Sequence, residues 1–396
     1  MKRHGMRRRV ADVLVTVCMV IFLLAGCWDY QGLGEQAVVA GIAVDIGEEG
    51  RGYKLTFELV DVNGAQDGQF GSILLTTTGE TLAQAAYDAH NKLHGPVYLG
   101  AADVVIVGRQ AAEQVGLSPL VDYLIRNKNA RNSLRIVVAE TDTAAELFAP
   151  VAKEAEGEEE QDPQQDPNAD ILLSKALGQS LGPRGRQNRM TADARALYEI
   201  YHILHRGTSD LVLPIVGTSE AEDIPFQLDG LALFNGDRMT GTLDEADVPL
   251  YLLATAGLRD WAFPVMLSEQ PEKQAILSVR HSRSRLGVGT EGGAPQFFLD
   301  IQVTVDVVQW PEGAEEPNGK TLRQMEAGAA QALSRQVLAL CHRLRDEGRD
   351  ILGLAEALRT QSPGLWEQIA GDWRAWLKAG EIDVRVEVQI QSAGWR

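Results

Sequence analysis

Ala102-Asp103-Val104-Val105-Ile106-Val107-Gly108 decides the fold of the first half of this chain. Four consecutive β-branched residues favour a strand, and an unbroken apolar run this short has no wet face. It reads as a strand buried on both faces. Upstream, Ala37–Asp45 (AVVAGIAVD) is a second apolar strand, Lys54–Asp61 (KLTFELVD) alternates as its partner, and Ser72–Thr78 is a further short strand. Between them and the central strand, Thr81 to His94 carries Leu82, Ala85, Ala86, Ala89 and Leu93 at helical spacing, stopped by Gly95-Pro96. Downstream come helices near Gln110–Glu113 and Leu117–Asn127, the strand Leu134–Ala139 and a short helix Thr143–Phe148. Strands alternating with helices imply a mixed sheet with helices packed on it.

Composition breaks at Lys153–Asp170 (KEAEGEEEQDPQQDPNAD), which has no aliphatic anchor beyond alanine and reads as an acidic disordered loop. Helical spacing resumes over Ile171–Leu181 and Thr191–Leu204. The second half opens with Asp210–Val216, where Pro214 limits strand pairing, and a hairpin around Asn235-Gly236-Asp237. A helix capped by Asp244 follows, then alternating strands Gln274–Gly287 and Gln296–Trp310 joined by a Gly-rich loop. A long helix Thr321–Glu347, two shorter ones and the strand Glu381–Ile390 complete the chain. The expected class is α+β and multi-domain: mixed sheets with helices packed on them, and a largely antiparallel sheet in the C-terminal half. The expected divisions are a leader over residues 1–26, an N-terminal α/β-type domain over 27–205, a small middle α+β domain over 206–268 and a C-terminal α+β domain over 269–396.

The leader assignment rests on its charge and length. Lys2, Arg3 and Arg7–Arg9 precede an apolar run from Val13 to Ala25, too short for the ~20 residues of a spanning helix. Leu24-Ala25-Gly26-Cys27 then reads as a lipobox, with cleavage between Gly26 and Cys27 and diacylglycerol and acyl groups on Cys27. The alternative is an uncleaved anchor with an incidental cysteine. No later apolar stretch is long enough to span, so the expected state is anchored to a membrane without crossing it. Cleavage would take the formal charge from −18 to −22, because residues 1–26 hold five Lys/Arg and one Asp. Such a surface argues against binding to nucleic acid or anionic lipid. Of three cysteines, Cys18 leaves with the leader and Cys27 is modified; Cys341 remains in an amphipathic helix, as a buried structural thiol.

Chemistry is sparse. Gly287-Val-Gly289-Thr-Glu-Gly292 matches a dinucleotide fingerprint by letter, but a strand follows it, so no helix N-terminus waits for phosphate. His90/His94 and His202/His205 have helical spacings that suit metal chelation but lack a third ligand, so no metal, cofactor or enzymatic activity is expected. Arg280, His281, Arg283 and Arg285 form the densest positive patch, either a solvated strand face or a docking surface for an acidic partner or phospholipid headgroups. Trp366, Trp373 and Trp376 share a helical stripe that reads as core, with a lipid-facing pair as the other reading.

Several motifs together resemble the Ger(x)C family of spore germination lipoproteins. They are Cys27-Trp28-Asp29 with Val39–Asp45, then Tyr98-Leu99-Gly100 with Val104–Gly108, Tyr123–Arg126 and Arg131. The hairpin Gly230–Phe234 with Asp237–Leu243, and Trp366, Trp373 and Val384–Ile390 near the end, complete the match. One departure is Ala101, where the family often has a histidine. The resemblance implies three α/β-type domains and a lipoprotein on the outer face of the spore inner membrane. Such a lipoprotein is the C subunit of a germinant receptor and works with polytopic A-type and B-type subunits that sense small nutrients. The competing expectation is a free-standing extracytoplasmic solute-binding lipoprotein.

Overall fold

The computed structural model describes residues 36–66, 69–93, 95–148, 172–182, 194–219, 226–255, 257–267, 270–291, 294–313 and 317–392, with residues 15, 16 and 19 of the leader. Thirteen strands lie among them, in two sheets. The first holds β1 (Ala37–Ile46), β2 (Tyr53–Gln66), β3 (Gln69–Gly79), β5 (Val104–Val107), β6 (Arg135–Ala139), β7 (Val212–Thr218), β8 (Phe226–Asn235) and β9 (Arg238–Leu243), in the order β3-β2-β1-β5-β6-β7-β8-β9. A two-residue β4 (Val97–Tyr98) pairs beside β1. Strands β1, β5, β6 and β7 run parallel at the centre. Antiparallel pairs close both flanks.

Parallel neighbours need crossovers, and helices supply them. The first-sheet helices are α1 (Leu82–Leu93), α2 (Arg109–Gln114), α3 (Ser118–Arg126), α4 (Leu173–Ser180) and α5 (Leu197–Arg206). Val105 and Val107 of β5 pack into the core under α1, α2, α3 and α5. Val104 and Ile106 face the opposite core with α4 and a 3-10 turn at Ala144–Phe148. The central strand is therefore buried on both faces, as its composition requires.

Two residues seat α4. Gly41 lets the helix approach β1 so closely that an added Cβ would lie 2.0 Å from Ser174 Oγ. Glu58 of β2, fully buried, accepts hydrogen bonds from the Leu173 and Ser174 amides at 2.8 and 2.9 Å. Those amides open the helix and have no intrahelical acceptor.

The second sheet orders β10 (Ala262–Leu267), β11 (Gln270–Glu291), β12 (Ala294–Gln309) and β13 (Glu381–Ser392). Two of its three pairings are antiparallel and β13 runs parallel to β12. Along β12, Phe297, Leu299, Ile301, Val303, Val305 and Val307 point inward and are buried. They share a core with α6 (Asp247–Ala254), α7 (Gly319–Asp346), α8 (Leu354–Gln361), α9 (Pro363–Ile369) and α10 (Trp373–Ala379). Asn318 caps α7 by accepting from the Lys320 and Thr321 amides. Cys341 is fully buried on that helix, and burial pushes its thiol up to about 12. No described helix is long and apolar enough to cross a membrane.

The structure redraws two expected boundaries. The middle unit expected over 206–268 has no sheet of its own: β7–β9 extend the first sheet, and β10 opens the second. Pro214 restricts β7 as expected, since its pairing to β6 is confined to Ile215 and Val216 beyond the proline. The Gly-rich segment after Gly287 is not all loop either. Gly287 to Glu291 stay paired with Phe298 to Ala294, and the ring of Phe298, opposite Gly287, leans diagonally over Gly289, where a Cβ would lie 2.8 Å from it. An aromatic ring over a cross-strand glycine offsets the lost side-chain packing.

Candidate functional site

Gly26 and Cys27 lie outside the described residues, as do segment 153–170 and His94. His90 stacks on Tyr87 with ring centroids 5.8 Å apart. His205 meets the Tyr201 carbonyl at 2.9 Å through Nδ1 and packs on its ring at 3.9 Å. Among the described residues, no group of three or more His, Cys, Asp or Glu side chains could hold a metal ion. The tryptophans are core: Trp373 is buried, 5.7 Å from Trp366 and 6.3 Å from Phe297, and Trp376 packs half-buried on the same cluster.

The arginine patch is reorganised by a bulge between Val279 and His281. Arg280 sits at that irregularity and turns to Asp306, donating through Nε and Nη2 at 2.9 and 2.7 Å. Arg283 and Arg285 continue the alternation on the outer, helix-free face, opposite Gln302 and Asp300 of β12. The parallel register then sets Arg385 beside Asp300 and Glu387 beside Gln302. Arg283, Arg285 and Arg385 make no ion pair with any described residue, and with Asp300 and Glu387 they line a hollow of about 450 Å³. Arg385 was missed from sequence. The alternation in Glu381–Ile390 marks it as outward-facing, but nothing local says which strand it pairs with. Free guanidinium forks suit carboxylates, held by paired hydrogen bonds. The interleaved carboxylates keep the face from being a polyanion trap.

A second polar cluster ties the sheets together. Asp210, entering β7, accepts from the Asp350 amide at 2.7 Å and from Arg374 Nη1 at 2.7 Å, while its own amide donates to the Asp350 carbonyl at 2.9 Å. The Asp350 carboxylate accepts from the Leu354 and Ala355 amides at 2.7 and 2.8 Å, and from Trp373 Nε1 at 3.2 Å. Burial, with a smaller contribution from the Asp210 charge, raises Asp350 to about 6. These carboxylates are fully engaged by amides, Arg374 and Trp373, so the cluster is a structural joint and leaves no free acid or base.

Comparison with known proteins places this architecture. Residues 29–158 match the model of the spore germination protein N-terminal domain, and residues 229–394 match that of the spore germination B3/GerAC-like C-terminal region. Spore germination protein KC of Bacillus subtilis (strain 168) is 22% identical, covering 98% of this chain and 97% of its own. Spore germination protein B3 of the same organism is 21% identical over 92% of this chain and 93% of its own. The crystal structure of the GerBC protein shares the fold, with a TM-score of 0.52 at 15% identity over 89% of this chain and 97% of that one. Two domain models in sequence, full-length relatives and a shared fold agree, and the chain belongs to the GerAC-type family of spore germination proteins.

Proposed function

We propose that this chain is the lipid-anchored subunit of a spore germinant receptor, working by assembly with polytopic A-type and B-type membrane subunits and carrying no catalytic centre of its own. The observation that carries the reading is one of position: the N-terminal family match starts at residue 29, two residues after Cys27 of the lipobox. The germination domain thus begins where the anchor ends. Two acyl chains hold a domain to one leaflet firmly, whereas a single chain holds it only marginally. That placement puts both sheets on the outer face of the spore inner membrane, beside the loops of membrane-embedded partners. The face bearing Arg283, Arg285 and Arg385 is the proposed contact surface. It suits an acidic protein segment better than anionic headgroups, because a mature charge near −22 repels an anionic bilayer as a whole. The sheets, one nine-stranded and mixed, one four-stranded, are not the two matched lobes of a solute-binding lipoprotein.

Replacing Cys27 by Ala tests the anchor. The variant is expected in the soluble fraction of lysed spores, with slowed nutrient germination. Full membrane retention together with normal germination would refute lipid anchoring.

A further inference from the structure

Under α1 and α3 the first sheet is not fully covered. Ile42, Leu55 and Phe57 of the sheet, Ala86 of α1, and Leu120 and Leu124 of α3 line a hollow of about 320 Å³ that opens to solvent on one side. Its cause is visible in the sequence of α1. The helix buries Leu82, Ala85 and Ala89, and lines the middle of the space with Ala83 and Ala86 while its larger Tyr87 and His90 side chains stand further along. Alanine methyls cannot bridge the gap to the leucines opposite. Close-packed interiors rarely keep voids larger than a water molecule, and a dry cavity of ~150 Å³ already takes benzene. This one has about twice that space and lies within the range of small-molecule sites.

The polar groups are few and converge at one end. Tyr123 of α3 and Asn127, the residue just past its end, line the cavity together, with the Asn127 amide donating toward the Tyr123 hydroxyl at 3.5 Å. That contact is long; the Asn127 Oδ1 accepts from the Asn129 amide at 2.9 Å, so the capacity left for a guest is the Tyr123 hydroxyl and the Asn127 amide N–H. The Tyr123 phenol is neutral at physiological pH and burial pushes it further up, so it can donate. The exposed ring of Tyr87, stacked on His90, stands at the mouth. No Asp, Glu, Lys or Arg lines the space. A zwitterion or a phosphate inside it would leave its charges unpaired, which is strongly unfavourable.

We infer that this cavity is a binding site for a small uncharged molecule, aromatic or branched aliphatic, with a single hydrogen-bonding end directed at Tyr123 and Asn127. The inference stands on the cavity alone and does not depend on receptor membership.

Fluorine NMR on the full chain in lipid nanodiscs reads it, with 4-fluorophenol, fluorobenzene and 4-fluorophenylalanine as probes. The expected result is saturable broadening of 4-fluorophenol by the natural protein and about tenfold weaker binding of fluorobenzene, the loss of one hydrogen bond. Tyr123→Phe should narrow that preference. Ala86→Leu fills the space and should abolish saturable binding without lowering the unfolding midpoint; Ala83→Leu is a second plug from the exposed end. Absence of saturable binding by the natural protein, or equal binding with the cavity plugged in a stably folded variant, overturns the site. Equal binding of 4-fluorophenylalanine and 4-fluorophenol overturns the ligand class.

Discussion

Gly41 stands where α4 crosses β1, and the closeness of that crossing makes it a sharp test of packing. A methyl there meets Ser174 Oγ at 2.0 Å and Ser174 Cβ at 2.4 Å, so the helix must retreat from the Glu58 carboxylate that caps it. Gly41→Ala is expected to cost about 2–3 kcal/mol in urea unfolding, as overpacking plus a weakened cap. Adding Ser174→Gly should recover part of the loss; a double variant no better than the single would show that the contact is not the cause. Asp350 makes a pH prediction. Its folded value is about 6 against 3.8 for an ordinary aspartate, so the folded state binds the proton more tightly than the unfolded one. Its contribution is therefore most favourable below pH 4, declines as pH rises from about 4 to 6, and is flat above. The size is of the order of 2–3 kcal/mol across that window. Relative to Asp350→Asn, the natural protein should lose stability over that interval, with Asp210, Arg374 and Trp373 unchanged beside the site. A pH-independent difference between the two would contradict the assignment. Neither residue's role was legible beforehand. Glu58 acts on residues 115 and 116 positions away and Asp350 on Asp210 across 140, separations at which no local pattern operates.

The β11–β12–β13 unit carries the argument at the scale of elements. Alternation along β12 was readable as one buried and one wet face, and the structure keeps it from Phe297 to Val307. What alternation does not encode is the partner. The parallel placement of β13 brings Arg385 to Asp300, and the bulge between Val279 and His281 takes Arg280 out of the ladder and to Asp306. The outer edge of β13 is also guarded. Ser334 of α7 donates to the Val384 carbonyl, and Glu326 accepts from the Ile390 amide, both at 2.8 Å. With those edge groups occupied, strand addition is disfavoured and the open face is the better docking surface. Replacing Arg283 and Arg285 by Gln should strongly lower recovery of a membrane partner while shifting stability by less than about 0.5 kcal/mol, because neither guanidinium is paired in the free protein and Gln adds no like charge opposite Asp300. Undiminished recovery from the double variant would move the contact elsewhere.

Across the whole molecule, the sequence was most legible where burial is two-sided, as in Val104–Val107, and least where long-range pairing decides. Nothing in Val212–Thr218 announces β6 as its neighbour, since only two residues of each strand meet. The boundary expected near residue 206 therefore falls inside a unit whose sheet runs on to Leu243. The outer faces of β7–β9 present Val212, Leu231, Leu233 and Leu243 to the second core, so the two sheets share apolar packing as well as the Asp210–Arg374 joint. The most direct test is to solubilise spore inner membranes in gentle detergent and identify what co-purifies with this protein. Assembly predicts polytopic germinant-receptor subunits in stoichiometric yield. Recovery of the protein alone, from spores that express those subunits, would contradict it.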